Sequence, residues 1–122
     1  MTLRFPRKAR LTRSSEFEAV YREGMRMREF PLRVRALRRG SDGQSRLGVA
    51  VSKRVGSAVV RNRWKRAIRE AFRAECSRLP AAHDIVVSVE WPTEKEDVRR
   101  VGEAFRAVVE KLLARGDSQR AE

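Results

Sequence analysis

Between Lys53 and Arg73 the chain reads KRVGSAVVRNRWKRAIREAFR, eight basic side chains (Lys53, Arg54, Arg61, Arg63, Lys65, Arg66, Arg69, Arg73) against one acid, Glu70. Clustered guanidinium and ammonium groups bind phosphate, and their spacing here predicts how they are held. Val60, Trp64, Ala67, Ile68, Ala71 and Phe72 recur at i, i+4, i+7, i+8, i+11 and i+12, the period of a helix docked on a core. At about 100° per residue, Asn62, Lys65, Arg66, Arg69 and Arg73 fall in a separate stripe roughly 100° wide. A row of cations beside a docked face matches an RNA or DNA backbone, because neutralising several phosphates releases counterions. A solvated charged face, a membrane surface or a protein partner remain alternatives on pattern alone.

Breaking a phosphodiester needs other groups. Protein-only hydrolysis usually draws on clustered carboxylates for metal ions or on histidines as acid and base. His83 is the one histidine, placed by the pattern in a surface loop before a strand, and Asp84 and Glu90 bracket that strand with no companion motif. No catalytic residue and no metal ligand is assigned. Cys76 has no partner for an intramolecular disulfide and falls late in the central helix, where a small apolar residue serves structure rather than reactivity.

The elements that must position the basic stretch fit one domain over residues 1–122. Its net charge of +13 is uneven: residues 1–73 carry net +15 and residues 74–122 net −2. Arginine outnumbers lysine, and a guanidinium fork both grips phosphate bidentately and stacks on bases. Polyanion binding follows, nucleic acid ahead of a membrane. The first residues, MTLRFPRKARLTR, lack the apolar core of a signal peptide, and no run of about 18 apolar residues occurs, which predicts a cytoplasmic protein.

Residues 1–13 read as a basic extended arm. Ser14 or Ser15 can cap a short helix, with Glu18 in the capping box if Ser15 is the cap, closed by Gly24. On it Phe17, Val20 and Tyr21 share a side; Val20 reads as core, and the two rings as either core or an exposed base-stacking surface. Alternation from Phe30 to Leu37 predicts a strand with Phe30, Leu32, Val34 and Ala36 inward, and Pro31 favours a sheet edge for it. The GSDG turn at Gly40 to Gly43 predicts a hairpin into a second strand, Arg46 to Ser52, bulky on one face and bare on the other at Gly48, Ala50 and Ser52. The central helix runs from Ser57 to about Leu79. A strand over Asp84 to Glu90 then returns after a helical crossover, able to pair in parallel with its predecessor. Thr93, with Glu96, caps a last helix that ends at Gly116, and residues 117–122 read as a frayed tail.

The run VSKRVGSAVVRNRWKRAIREAFR, with the triplet Arg61, Asn62, Arg63, resembles the signature of the bacterial ribonuclease P protein subunit, and the EF..VY stretch at Glu16 to Tyr21 and the chain length agree with it. The resemblance implies an α+β fold, a two-layer αβββαβα sandwich similar to a ribosomal-protein-like domain, with an unusual left-handed βαβ crossover carrying the basic helix. It implies a protein that assists a catalytic RNA in cutting the 5′ leader from precursor tRNA and is inactive alone. Lys53, Arg54, Arg61, Asn62, Arg63, Lys65, Arg66, Arg69 and Arg73 match the family's RNA-binding segment. Phe17 and Tyr21 match aromatics of its leader cleft, where Gly48, Ala50 and Ser52 would leave room. Arg33 stands where the family often has an aromatic, and a guanidinium can stack as well. Mg²⁺ would be held mainly by the RNA, in a one-to-one complex with a monomeric protein. A ribosome-associated or RNA-chaperone module would share the charge and fold without needing both the triplet and the aromatics; a DNA-binding protein would be expected to show a helix-turn-helix or a dimer interface, and neither is legible.

Overall fold

The computed structural model describes residues 9–40 and 44–120, with side chains through residue 115. Three α-helices and four strands follow in the order α1 (Ser14–Glu23), β1 (Met25–Glu29), β2 (Leu32–Gly40), β3 (Arg46–Ala50), α2 (Ala58–Glu75), β4 (Ala82–Val89) and α3 (Val101–Arg120). This is the αβββαβα succession. The sheet order is β1-β2-β4-β3, antiparallel except that β3 and β4 pair in parallel across α2.

The core lies between one face of this sheet and helices α2 and α3. Leu32, Val34, Ala36, Leu47, Ile85 and Val87 meet Trp64, Ile68, Phe72, Phe105 and Val108 there, all buried. The stripe read from the sequence on α2 is thus its docked face, with Val60 and Ala67 half-buried at the margin. Phe72 and Phe105 join the two helices edge to face, with ring centroids 6.1 Å apart. On the opposite face, α1 packs a separate small cluster of Leu11, Val20 and Val86 with Phe17 and Leu37.

Several local expectations are corrected. The strand at 30–37 is not a hairpin partner of β3: it pairs with β1 and β4, and β4 inserts between β2 and β3. The short strand MRMRE was concealed by its charged outer positions, although Met27 is buried and Met25 half-buried. β2 is therefore internal rather than at an edge. Pro31 is tolerated because it sits in the turn before the ladder, where its carbonyl accepts a bond from Glu90 N–H (2.9 Å). Phe30, in the same turn, is 47% exposed, not core, with Arg100 over its ring at 5.9 Å. Gly40 ends β2, and the rest of the GSDG turn lies outside the described residues.

The helix ends also differ. Helix α1 is capped at Arg13, with Glu16 reaching back to the N–H groups of Thr12 and Arg13; a capping box on Ser15 would have used Glu18, two residues too late. Gly24 closes α1 because a Cβ there would stand 2.5 Å from the Val20 carbonyl, not because of its φ. Helix α2 is capped by Ser57, whose Oγ accepts from Val60 N–H (3.4 Å), and passes at Cys76 into a 3-10 turn before Pro80. Half-buried Cys76 packs on the core, and burial raises its thiol pKa, in keeping with a structural role. A 3-10 turn, Lys95–Arg100, precedes α3, and its capping box is Glu94 with Asp97, one residue beyond Thr93 and Glu96. Helix α3 continues through Gly116 to Arg120, since glycine weakens a helix by only about 1 kcal/mol and no proline follows to stop it. Of the arm, residues 1–8 lie outside the described residues. Its end docks: Ala9 and Leu11 are buried, and Leu11 N–H donates to the Leu47 carbonyl (2.9 Å), covering the outer side of β3.

Candidate nucleic-acid interface

The basic helix presents Asn62, Arg63, Arg66 and Arg69 exposed to solvent, with Lys65 and Arg73 half-buried. Arg63, Lys65, Arg66 and Arg69 have no hydrogen bond or ion pair among the described residues. Arg61, half-buried, donates from Nε to the Gly56 carbonyl (3.2 Å) and so braces the start of the helix. Lys53 and Arg54 stand on a separate 3-10 turn, Lys53–Val55, fixed by Ser52 Oγ accepting from Arg54 N–H (3.2 Å).

A second cationic surface crosses the helix-poor face of the sheet. The strand register lines up Arg28, Arg33, Ser88 and Ala50 in one row and Arg26, Arg35, Val86 and Gly48 in the next. Helix α1 covers the Gly48 end, leaving a trough along the rest. One open hollow of about 440 Å³ lies between Tyr21 and the arginines of β1 and β2; another of about 330 Å³ is lined by Arg33, Ala50, Ser52, Arg54, Ser88, Val89 and Trp91. Arg33 and Ser88 border both, so the two form one path.

Buried carboxylates hold this surface in shape. Glu90, 5% exposed, takes Arg28 (2.5 Å) and Arg33 (3.5 Å) on Oε1. Asp84, 4% exposed, accepts from Arg39 (2.6 Å) and twice from Arg46 (2.9 and 2.8 Å), while Arg46 also donates to Glu16 (2.6 Å). Hydrogen bonds from Arg13 and Thr12 N–H, with Arg46 nearby, hold the Glu16 carboxyl below its ordinary pKa. This chain of ions ties the start of α1 to β3 and β4. Asp84 and Glu90 are therefore arginine anchors. His83 is also not on the surface: β4 begins two residues earlier than the pattern suggested, and the ring is buried, with Nδ1 2.9 Å from the Ala81 carbonyl and its pKa lowered by burial. Among the described residues no three His, Cys, Asp or Glu side chains gather as a metal site.

Of the residues expected at a leader cleft, Tyr21, Arg33 and Ala50 line the trough and Phe17 does not. Its half-buried ring lies on Gly48, where a Cβ would stand 2.6 Å from Phe17 Cε1, so the bare strand face is open only from Ala50 onward. Tyr21 is 43% exposed with Arg35 over its ring at 5.1 Å, and Arg35 also donates to the Tyr21 carbonyl (2.6 Å). Arg26, Arg28, Arg35 and Trp91 were missed. The period-two pattern of MRMRE carried the signal for the first two.

An exposed cationic helix face and an ion-braced cationic trough on a four-stranded α+β domain form the charge footprint typical of nucleic-acid-binding proteins. The family model for ribonuclease P matches residues 5–113, and the chain belongs to the ribonuclease P protein family. It is similar to the ribonuclease P protein component of Desulfovibrio desulfuricans, 45% identical over 82 residues, a match spanning 66% of this chain and 63% of that relative. It is 35% identical over 107 residues to that of Pseudanabaena, covering 87% and 92% of the two chains. The solved RNase P protein of Staphylococcus aureus superposes with a TM-score of 0.73 at 30% identity, over 86% of this chain and 94% of that one. No described helix is long and apolar enough to cross a membrane.

Proposed function

We propose that this chain is the protein subunit of ribonuclease P, binding the catalytic RNA through α2 and the single-stranded 5′ leader of precursor tRNA along the trough, and so assisting removal of the leader. The observation that carries the reading is the presence, on a chain of this family, of two separate cationic surfaces of different construction. Lys53, Arg61, Asn62, Arg63, Lys65, Arg66, Arg69 and Arg73 serve the RNA subunit, while Arg54, which lines the trough, binds RNA there. Tyr21, Arg33 and Ala50 serve the leader, with Phe17 beneath α1 setting where the trough begins. The guanidinium of Arg33, placed between two hollows, can stack on a base and contact phosphate together, which answers the missing aromatic.

The chain's own side chains support binding rather than bond cleavage, because the buried carboxylates are committed to arginines and His83 is enclosed. Catalysis then rests with the RNA, which would also hold the Mg²⁺ of the holoenzyme, in a one-to-one cytoplasmic complex. Reconstitution with a bacterial ribonuclease P RNA tests this. The protein should raise precursor tRNA cleavage when Mg²⁺ is limiting and cleave nothing by itself; site-specific cleavage by RNA-free protein, or no stimulation, would overturn the proposal.

A further inference from the structure

Trp91 is the most unusual residue of the trough. It is 55% exposed, although a tryptophan buries more apolar area than almost any side chain when the fold can use it. Arg54 lies over its ring, 5.4 Å from the centroid, delivered by the 3-10 turn that leaves β3. Between them and the sheet is the hollow floored by Ala50 and Ser88, side chains too small to fill it. Glu90, the preceding residue, holds Arg28 and Arg33 alongside, and its second oxygen, Oε2, is buried without a hydrogen bond. A carboxylate kept in that condition is costly unless the arginines stay on it, so their guanidiniums are set in place before any ligand arrives.

From these observations we infer that Trp91 and Arg54 form a second base-stacking station, at the opposite end of the trough from Tyr21, which takes an unpaired nucleotide of single-stranded RNA. Tyr21 stands beside Arg35, which pairs with Val86, and Trp91 lies five residues further along the same chain direction, roughly 16 Å at strand rise. The two rings thus mark the ends of a path whose middle is lined by Arg28 and Arg33. An aromatic face accepts any base, and the flanking cations meet its phosphates. The assignment of that RNA as the precursor leader rests on the function proposed above; the stacking itself does not.

Two measurements separate them. In the free protein, an oligouridylate of about eight nucleotides, within the usual span of such sites, should quench Trp91 emission, leaving the signal of buried Trp64 in W91F unchanged. In the reconstituted holoenzyme, Trp91→Ala should weaken binding of a long-leader precursor by about five- to a hundredfold, spare a precursor with a one-nucleotide leader, and be largely rescued by Trp91→Phe. Absence of quenching, or Trp91-dependent self-association in sedimentation, would overturn the station; equal losses for both precursors would overturn the leader as its occupant. If the wild-type protein fails to assist the RNA, the leader assignment falls, while quenching still decides the stacking.

Discussion

The exposed face of α2 and the trough across the sheet are both made of arginine, yet they hold it in opposite ways. On α2 the guanidiniums of Arg63, Arg66 and Arg69 are untethered among the described residues. In the trough Arg28 and Arg33 close on Glu90, and Arg35 on the carbonyl and ring of Tyr21. Free side chains adapt to whatever phosphates a large folded RNA presents and lose rotamer freedom only on binding. Tethered ones have lost that freedom on folding, which suits a defined path for a flexible strand. The helix should therefore behave as a salt-sensitive grip and the trough as a shaped channel.

The largest effect is expected beneath the helix. Ile68, fully buried, should cost about 2–5 kcal/mol of stability as Ile68→Ala, read by urea unfolding, because a cavity opens at the centre of the α2 contact. If Ile68→Ala is harmless, the two faces of α2 have been assigned wrongly. Gly48→Ala is the corresponding break on the trough side. Its methyl would enter the Phe17 ring, and overpacking of about 1–3 kcal/mol should loosen α1. Unchanged unfolding there would mean that Phe17 is not seated on β3.

Arg66→Ala with Arg69→Ala should leave the fold intact and lower the slope of log affinity for the RNA subunit against log salt by roughly one to two units. A slope that does not move would return these side chains to the role of a solvated face. The smallest effect concerns His83, near both Arg38 and Arg39. Its pKa is lowered from 6.5, chiefly by burial, so on acidification the unfolded chain takes up the proton first. Its contribution to stability is present above about pH 6.5 and is lost as pH falls through the folded-state value. Thermal unfolding midpoints should drop by a few degrees at most on this account, and His83→Gln should flatten that part of the profile.

How much of this was legible depended on whether the information was periodic. The α2 stripe from Val60 to Phe72 and the parallel return of β4 followed from spacing, because a docked helix and a half-buried strand impose their period on the chain. β1 was missed because three of the five residues of MRMRE are charged, and its pairing partner lies beyond a turn. The hairpin between β2 and β3 was misread for a different reason: the turn chemistry of GSDG allows a reversal without fixing which strand fills the gap, and the insertion of β4 is a tertiary choice. The buried state of Asp84 and Glu90 was equally invisible. A carboxylate reads as surface until the arginines that enclose it, Arg28 and Arg33 or Arg39 and Arg46, are brought in from other strands. The cationic helix needed no such assembly, since all its residues lie on one element.

The division of labour between the two surfaces is tested most directly with Tyr21, which is exposed and can be removed without opening the core, unlike Phe17. Holoenzyme affinities for precursor tRNA with a leader of several nucleotides and for mature tRNA should be measured side by side for wild type and Tyr21→Ala. The precursor should lose about 1–3 kcal/mol of binding while mature tRNA binding hardly changes. Equal losses for both ligands would contradict it, placing the trough against the RNA subunit rather than the leader.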